Sequence, residues 1–88
     1  MAKNQKGNRD ERVGGESLDV AIAQCHVVRE RIVQARKKQG LTTYEVAKQM
    51  GISRPFYTQL EGGTRRIDLV NFLAICQALR VEPGELLK

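Results

Sequence analysis

Residues 41–62 read LTTYEVAKQMGISRPFYTQLEG, and this stretch decides the fold. Thr42 suits the N-cap of a first helix because its hydroxyl can accept a hydrogen bond from a first-turn backbone N–H. Three apolar residues then share one side at helical spacing: Val46, Ala47 and Met50. Gly51 follows, and a glycine tolerates the positive φ that ends a helix and redirects the chain. The first half of the stretch therefore predicts a short helix over residues 43–50 that stops at a glycine turn.

The second half predicts another short helix directly after that turn. Ser53 is an N-cap candidate, and Pro55 falls in the first turn, where a missing N–H costs little. Tyr57 and Leu60 are three residues apart and form the inner face of a helix over residues 54–61. Two short helices separated by a tight glycine turn are typical of the helix-turn-helix motif.

A long helix is predicted upstream of the motif, from an N-cap at Ser17 to about Gln39. Its apolar stripe comprises Leu18, Ile22, Cys25, Val28, Ile32 and Ala35. Gly40 closes this helix, and the cations Lys37 and Lys38 in its last turn complement the helix dipole. The upstream part of the stripe needs a covering surface, which is either its own domain or a second copy of the chain.

Two further helices are predicted downstream, so the fold class is all-α, with no strand pattern. Asp68 can cap a fourth helix, and Pro83 can begin a short fifth one that carries Leu86 and Leu87. The predicted inner face of the fourth helix is Leu69, Phe72, Leu73, Cys76 and Leu79. Residues 1–16 are polar with three glycines, which predicts a flexible, disordered tail before a single domain over residues 17–88. A basic arm that follows a DNA groove is the alternative role for this tail.

The net charge of +5 is unevenly distributed along the chain of 88 residues. Cations and anions balance in residues 1–25, so the whole excess lies in residues 26–88. A basic field around the predicted motif favours a polyanionic partner. No apolar run approaches the ~20 residues of a membrane span. We therefore expect a soluble, cytoplasmic protein, whose small core leaves no room for a large catalytic cavity.

Cysteine and histidine patterns argue against a metal site. Cys25 and Cys76 lie far apart without CxxC spacing, and His26 is the single histidine. Both cysteines are predicted to be buried structural thiols. No nucleophile–base set or carboxylate pair is present in the sequence pattern, so we expect neither an enzyme nor a cofactor.

At residues 26–87 the sequence resembles the DNA-binding domains of the Cro and lambda-repressor-like (Xre) regulators. Elements that carry the resemblance are Val28, Ile32, Ala35, Arg36, Gly40-Leu41-Thr42, residues 43–60, Glu61-Gly62, Arg65-Arg66, Leu69 to Leu79, Val81 and Leu86-Leu87. The resemblance implies a compact five-helix domain whose third helix enters the major groove of DNA.

Contacts with DNA are then expected from two groups of residues. In this docking geometry the N-terminal residues of the third helix meet base edges. The expected base-contacting residues are Arg54, Pro55, Phe56, Thr58 and Gln59, with Arg54 suited to guanine and Gln59 to adenine. Phe56 could instead pack against the domain. The expected phosphate-contacting residues are Thr42, Thr43, Lys37, Lys38, Arg65 and Arg66.

The resemblance also implies a structural ion pair between Arg36 and Glu61, which would orient the third helix. This chain departs from the family pattern at three positions. Thr43 stands where many members have a glutamine that braces the DNA backbone. Arg80 replaces a glycine after the fourth helix, and Glu82 replaces a serine-like cap before the fifth.

The leading hypothesis is a sequence-specific transcriptional regulator, a repressor that binds an inverted-repeat operator as a homodimer. The alternative is an antitoxin-like protein-interaction subunit with weak or no DNA binding. The apolar start of the first helix motivates this alternative, since a protein partner could bind there or at the N-terminal segment.

Overall fold

The computed structural model describes residues 16–88, and these residues form five helices without a strand. In chain order the helices are α1 (Glu16–Lys38), α2 (Thr43–Met50), α3 (Arg54–Gly62), α4 (Leu69–Leu79) and α5 (Pro83–Leu87). The all-α, five-helix fold class is thereby confirmed. The expected tail falls, except for Glu16, outside the described residues. Glu16 is already helical, so Ser17 lies inside α1 and its predicted N-cap role is wrong.

Four predicted caps and stops shape the helix-turn-helix motif and the helix after it. Thr42 accepts a hydrogen bond from the backbone N–H of Glu45, and the Glu45 carboxylate accepts one in return from the Thr42 N–H. Ser53 caps α3 and Asp68 caps α4 through one hydrogen bond each, in which the side-chain oxygen accepts from the N–H of the third residue of the helix. Gly51 ends α2 with φ of 77°, a conformation that suits glycine.

A single apolar core joins all five helices. Its buried members are Ile32, Val46, Ala47, Tyr57, Leu60, Phe72, Ile75, Cys76, Ala78, Leu79 and Leu86. The largest fully buried side chain is that of Tyr57, which α3 directs away from its exposed face. Burial of each large side chain stabilises the fold by roughly 1.5–3 kcal/mol, so the core holds α3 firmly in place.

The inner face of α4 differs from the prediction. Leu69 and Leu73 are exposed, whereas Ile75 and Ala78 are buried. Leu73 lies about 100° around the helix from Phe72, outside the buried stripe. Leu69 has the right direction but sits in the first turn of α4, at the open edge of a groove beside α1. The hydrophobic pattern of α4 does not show how far along it the helices packed against it extend.

The start of α1 is not covered by its own domain. Ile32 is fully buried, and Val28 packs against the core, but Leu18 and Ile22 are exposed. Cys25 is exposed as well, so its predicted burial is wrong, whereas Cys76 is buried as expected. The apolar stripe continues past the point where the domain can cover it.

At the end of α4 the C-cap residue is Arg80, where the family pattern has a glycine. Arg80 takes a left-handed conformation with φ of 57°, and its N–H donates to the carbonyl oxygens of Cys76 and Gln77. Another C-terminal carbonyl, that of Leu79, accepts a 2.5 Å hydrogen bond from the Gln39 side chain. The helix therefore ends in the usual capped geometry, but with a residue that pays a steric penalty for it.

None of the helices between residues 16 and 88 has the length and apolar character needed to cross a membrane. In the same part of the chain, no three potential metal-ligating side chains cluster together.

Candidate nucleic-acid interface

The third helix separates into an inner and an outer face. Tyr57 and Leu60 are buried against the core. The outer face carries three polar residues and a proline, all exposed: Arg54, Pro55, Thr58 and Gln59. The expected base-contacting residues, apart from Phe56, therefore share one solvent-facing surface, which we call the reading face.

At the start of the reading face, Arg54 contacts the first residue of α2. Its Nε donates a 3.2 Å hydrogen bond to Oγ1 of Thr43. The two residues are eleven apart in sequence and meet because the glycine turn brings the N-termini of α2 and α3 together. Thr43 thus restrains the Arg54 side chain at Nε, and the terminal nitrogens of the guanidinium take no part in this contact.

At the other end of the reading face, Gln59 contacts Arg65. Arg65 Nε donates a 3.0 Å hydrogen bond to Oε1 of Gln59, and the guanidinium carbon lies 4.6 Å from the centre of the Phe56 ring. Phe56 is half-buried and packs against the core, so part of its ring serves packing. Arg65 was expected among the phosphate contacts, but the structure brings it to a base-contacting candidate. Sequence spacing gave no signal, because the two residues lie on either side of the Gly63 turn.

Two hydroxyl groups are already engaged within the motif. Thr58 Oγ1 donates a 2.9 Å hydrogen bond to the carbonyl oxygen of Pro55 in the same helix. Thr42 accepts from the Glu45 N–H as the cap of α2. A hydroxyl oxygen that donates or accepts one bond still has capacity for another, so both residues keep a second hydrogen-bonding site.

Exposed cations lie at both ends of the motif. Lys37 and Lys38 occupy the last turn of α1, immediately before α2, and Arg66 follows Arg65 in the loop after α3. All three side chains are exposed. The N-terminus of α2 adds first-turn N–H groups, which favour an anionic partner at that point.

A partly buried polar cluster fixes α3 on the side away from the reading face. Arg36 and Glu61 form a two-point ion pair, with Nε to Oε2 at 2.7 Å and Nη2 to Oε1 at 3.1 Å. Tyr57 donates a 2.5 Å hydrogen bond to the same carboxylate, and Arg36 Nη1 donates to the carbonyl oxygen of Leu41. This cluster connects the end of α1, the start of the motif and α3. The orientation of the reading face therefore depends on residues that it does not contain.

The cluster also changes proton affinities. Hydrogen bonding to Glu61 raises the pKa of Arg36, so its guanidinium stays charged. Burial, followed by the hydrogen bond to the Glu61 carboxylate, raises the pKa of Tyr57 well above its usual value. Both residues therefore keep their protons and remain donors to Glu61 throughout the neutral range.

A further brace was not anticipated from the sequence. Arg29 Nε donates a 3.2 Å hydrogen bond to the carbonyl oxygen of Leu60, near the end of α3. The carbonyl groups in the last turn of a helix lack partners within the helix, and Arg29 supplies one from α1. No local pattern could have shown this pairing, because the two residues are 31 positions apart.

Solved structures of other proteins share this fold. A solved XRE-family like protein from Pseudomonas syringae pv. tomato str. DC3000 superposes with a TM-score of 0.77 over 84% of this chain and 90% of that one. Its sequence identity of 24% indicates a shared fold alone. The restriction-modification controller protein C.AhdI from Aeromonas hydrophila is 33% identical, with a TM-score of 0.67 over 73% of this chain and 97% of that one.

Sequence comparison gives the same result. A relative from Bacillus subtilis (strain 168), the uncharacterised HTH-type transcriptional regulator YqaE, is 37% identical over 59 residues. The alignment covers 67% of this chain and 51% of the relative, so the chain spans about half of that protein's length. The helix-turn-helix family model HTH_3 matches residues 32–86. Because this match covers more than half of the sequence, the chain belongs to the HTH_3 family of Xre-type helix-turn-helix proteins.

Proposed function

We propose that this protein is a sequence-specific DNA-binding transcriptional repressor whose α3 enters the major groove. The observation that carries the proposal is the exposed reading face, on which Arg54 and Gln59 stand at opposite ends while the inner side of the same helix is locked in the core. A helix that presents polar side chains outward from a rigid base is what direct readout of base edges requires.

Arg54 supplies the main base contact in this proposal. Its guanidinium can donate two hydrogen bonds to O6 and N7 of guanine, a contact worth about 1–3 kcal/mol of discrimination. The hydrogen bond from Nε to Thr43 limits the side chain's freedom before DNA arrives. A side chain held in this way loses less conformational entropy on binding. Thr43 therefore acts as a positioning residue for Arg54.

Gln59 reads a second base. A glutamine that pairs with adenine accepts from N6 and donates to N7, but Oε1 of Gln59 already accepts from Arg65. The second lone pair of that oxygen remains for N6, and the amide group remains as a donor. Pro55 and Thr58 complete the reading face as weaker contacts, and the half-buried Phe56 beside it supplies an apolar contact.

The phosphate backbone is held on either side of the reading face. The hydroxyls of Thr42 and Thr43 and the backbone N–H of Thr43 provide a neutral phosphate site, whereas the Thr42 N–H already donates to Glu45. Lys37, Lys38 and Arg66 add positive charge around it, and Arg65 can also reach a phosphate through its terminal nitrogens. Charge neutralisation of this kind makes the affinity for DNA fall steeply as the salt concentration rises.

The dimer in this proposal follows from the requirements of sequence specificity. One such domain contacts few base pairs, and a two-fold dimer on an inverted-repeat operator doubles the contacts. Occupying a promoter represses transcription, and a regulator of this kind works in the cytoplasm, where bacterial DNA is found.

The test is selection of bound sequences from a random pool of double-stranded DNA by the full chain. We expect one motif with two-fold symmetry. Arg54→Ala should abolish the preference for that motif over random DNA. As a matched control, Lys38→Ala should weaken binding to specific and random DNA by similar factors and reduce the salt dependence. Equal losses on both DNAs for Arg54→Ala would contradict the assignment of Arg54.

One observation favours a second candidate, the antitoxin-like interaction subunit. Leu18, Ile22 and Cys25 are exposed on α1, where a protein partner could cover them. Stoichiometric co-purification of a different protein, with DNA binding unaffected by Arg54→Ala, would support this candidate over the repressor.

A further inference from the structure

The first half of α1 projects from the core and carries an uncovered apolar stripe. Leu18 is 40% exposed and Ile22 is 50% exposed, and Cys25 continues the stripe at the next helical position. Residues 16–27 correspond to about 18 Å of helix at 1.5 Å per residue. Helices in proteins owe most of their stability to packing of an apolar face, so this segment requires a surface to pack against.

An apolar groove lies directly beside the stripe. The groove has a volume of about 440 Å³ and runs between α1, the start of α4 and the end of α5. We call it the α1–α4 groove, and its apolar lining includes Ala21, Val28, Ile67, Leu69, Phe72 and Leu87. Leu69 and Leu87 are 70% and 59% exposed at its edge. Arg31 of α1 donates hydrogen bonds to the carbonyl oxygens of Leu86 and Lys88, which keeps the end of α5 against α1.

A second copy of the same chain fits these two features together. A two-fold interface uses the same patch on both partners, so it requires a projecting part and a receiving part on one molecule. The stripe supplies the first and the α1–α4 groove supplies the second. Charge is also complementary: Asp19 follows Leu18 in the sequence, and the groove lining has two cations, Arg29 and Arg66, against one anion, Asp68.

The apolar area is of the right size for such a pairing. The exposed parts of Leu18, Ile22, Leu69 and Leu87 amount to an area on the order of 400 Å². A standard interface buries about 800 Å² per partner, of which a little over half is apolar. An uncovered apolar patch of a few hundred Å² is also characteristic of a protein interaction site.

We infer that the chain forms a two-fold dimer in which the N-terminal halves of α1 pack antiparallel, with the Leu18–Ile22 stripe of each copy in the α1–α4 groove of the other. The inference rests on the proposed function, because that function requires a dimer. It adds which surfaces of the two copies meet. Leu18 and Lys37 are 19 residues apart on α1, about 28 Å along the helix. Pairing at the start of α1 therefore leaves Lys37 and Lys38 accessible to DNA, whereas Arg66 lines the groove and would be covered by the second copy instead of contacting a phosphate.

The test compares the dissociation constants of four full-length chains by sedimentation equilibrium. Leu18→Glu and Ile22→Glu place a charge in the proposed interface, and each should raise the dimer dissociation constant by about tenfold or more. Val20→Glu is the matched control, because Val20 is 54% exposed on the same helix but faces about 200° away from Leu18. It should leave the constant almost unchanged. Circular dichroism and thermal melting establish that all four chains are folded.

The native thiol provides a second readout. Antiparallel pairing about an axis between Ile22 and Cys25 brings the two exposed Cys25 thiols close together, whereas Cys76 is buried. A short bismaleimide should therefore cross-link the wild-type chain into a covalent dimer. Cys25→Ser should remove the cross-link, and Ile22→Glu should reduce it strongly.

Several outcomes would overturn the inference. A wild-type chain that stays monomeric, or a dimer that survives both Leu18→Glu and Ile22→Glu, contradicts it. So does a monomer whose Cys25 becomes reactive only after removal of residues 1–15, because that result places the chain's own N-terminus in the groove. Binding of Ile22→Glu to a half-site separates this question from the function: retained half-site preference leaves the DNA-binding proposal intact whatever the dimer result.

Discussion

Arg65 and Gln59 form a hydrogen-bonded pair on the reading face, with Nε of Arg65 3.0 Å from Oε1 of Gln59. The guanidinium of Arg65 also lies over the Phe56 ring, at 4.6 Å from its centre. Contact with an aromatic face restricts an arginine further. Arg65 therefore stands where it can set the orientation of the Gln59 amide, in addition to any contact of its own with DNA.

The first prediction is that Arg65→Ala changes the sequence preference of the protein. Without its partner, the Gln59 amide can rotate, so discrimination should fall at the same base position that Gln59→Ala affects. The double variant should lose less than the sum of the two single losses, with a coupling of roughly 0.5–3 kcal/mol. Arg65→Lys should not restore the preference, because an ammonium lacks the planar fork of a guanidinium.

Binding of each variant to the selected operator and to single-base variants of it measures this effect. Lys38→Ala serves as the control, because Lys38 should contribute to affinity without base preference. If Arg65→Ala lowers affinity for every sequence by the same factor, Arg65 is a phosphate contact and the pair has no role in specificity.

The fold could be predicted from the sequence because local signals agreed with the tertiary arrangement. Thr42, Gly51 and Ser53 specify the motif through capping and backbone chemistry, which act within a few residues. The α4 face and the burial of Cys25 were mispredicted for the opposite reason. Whether Leu69 or Cys25 is covered depends on where other helices end, and this information is not contained in the periodicity of one helix.

The candidate site was predictable only in part. The sequence pattern indicated which residues face outward on α3, since an amphipathic helix has one buried side. The contacts between Arg54 and Thr43 and between Arg65 and Gln59 join residues across turns. Such pairs have no fixed spacing, so their positioning roles became apparent only from the three-dimensional arrangement.

The second prediction concerns the ion pair behind α3. Glu61→Ala leaves Arg36, whose side chain is 12% exposed, without its carboxylate partner. We expect the free energy of unfolding to fall by about 3–5 kcal/mol, the usual cost of leaving a buried charge unpaired. Urea denaturation of both proteins at neutral pH measures the difference.

A double variant shows whether that loss of stability comes from the unpaired charge of Arg36 or from the lost packing of the Glu61 side chain. Arg36→Met combined with Glu61→Leu removes both charges and keeps similar volumes, so it should be more stable than Glu61→Ala. If Glu61→Ala unfolds at the same urea concentration as the wild type, the pair does not brace α3.

The third prediction is an alkaline loss of stability that involves Tyr57. Because its pKa is raised in the folded state, Tyr57 stays protonated when the unfolded chain begins to ionise at about pH 10. The unfolded state then binds fewer protons than the folded state, so stability falls as the pH rises above that value. Below pH 10 the contribution is fully present.

Urea denaturation at a series of pH values between about 8 and 11 tests this relationship. Tyr57→Phe should show a shallower decline, although it begins from a lower stability because the hydrogen bond to Glu61 is lost. A residual decline is expected, since burial also raises the pKa of the Cys76 thiol. An equally steep decline in Tyr57→Phe would exclude Tyr57 as a source of the effect.

The fourth prediction addresses the left-handed residue at the end of α4. Arg80 has φ of 57°, a conformation in which a side chain costs roughly 1–2 kcal/mol relative to glycine. Arg80→Gly removes that cost, but it also makes the unfolded chain more flexible, which offsets part of the gain. We expect a net stabilisation of about 0.5–1 kcal/mol, measured by thermal or urea denaturation. Gly51→Ala is the reciprocal control: its φ is 77° and nothing lies within 4 Å of the added Cβ, so it should be destabilising through backbone strain alone. A destabilised Arg80→Gly chain would mean that the Arg80 side chain contributes more than its backbone conformation costs.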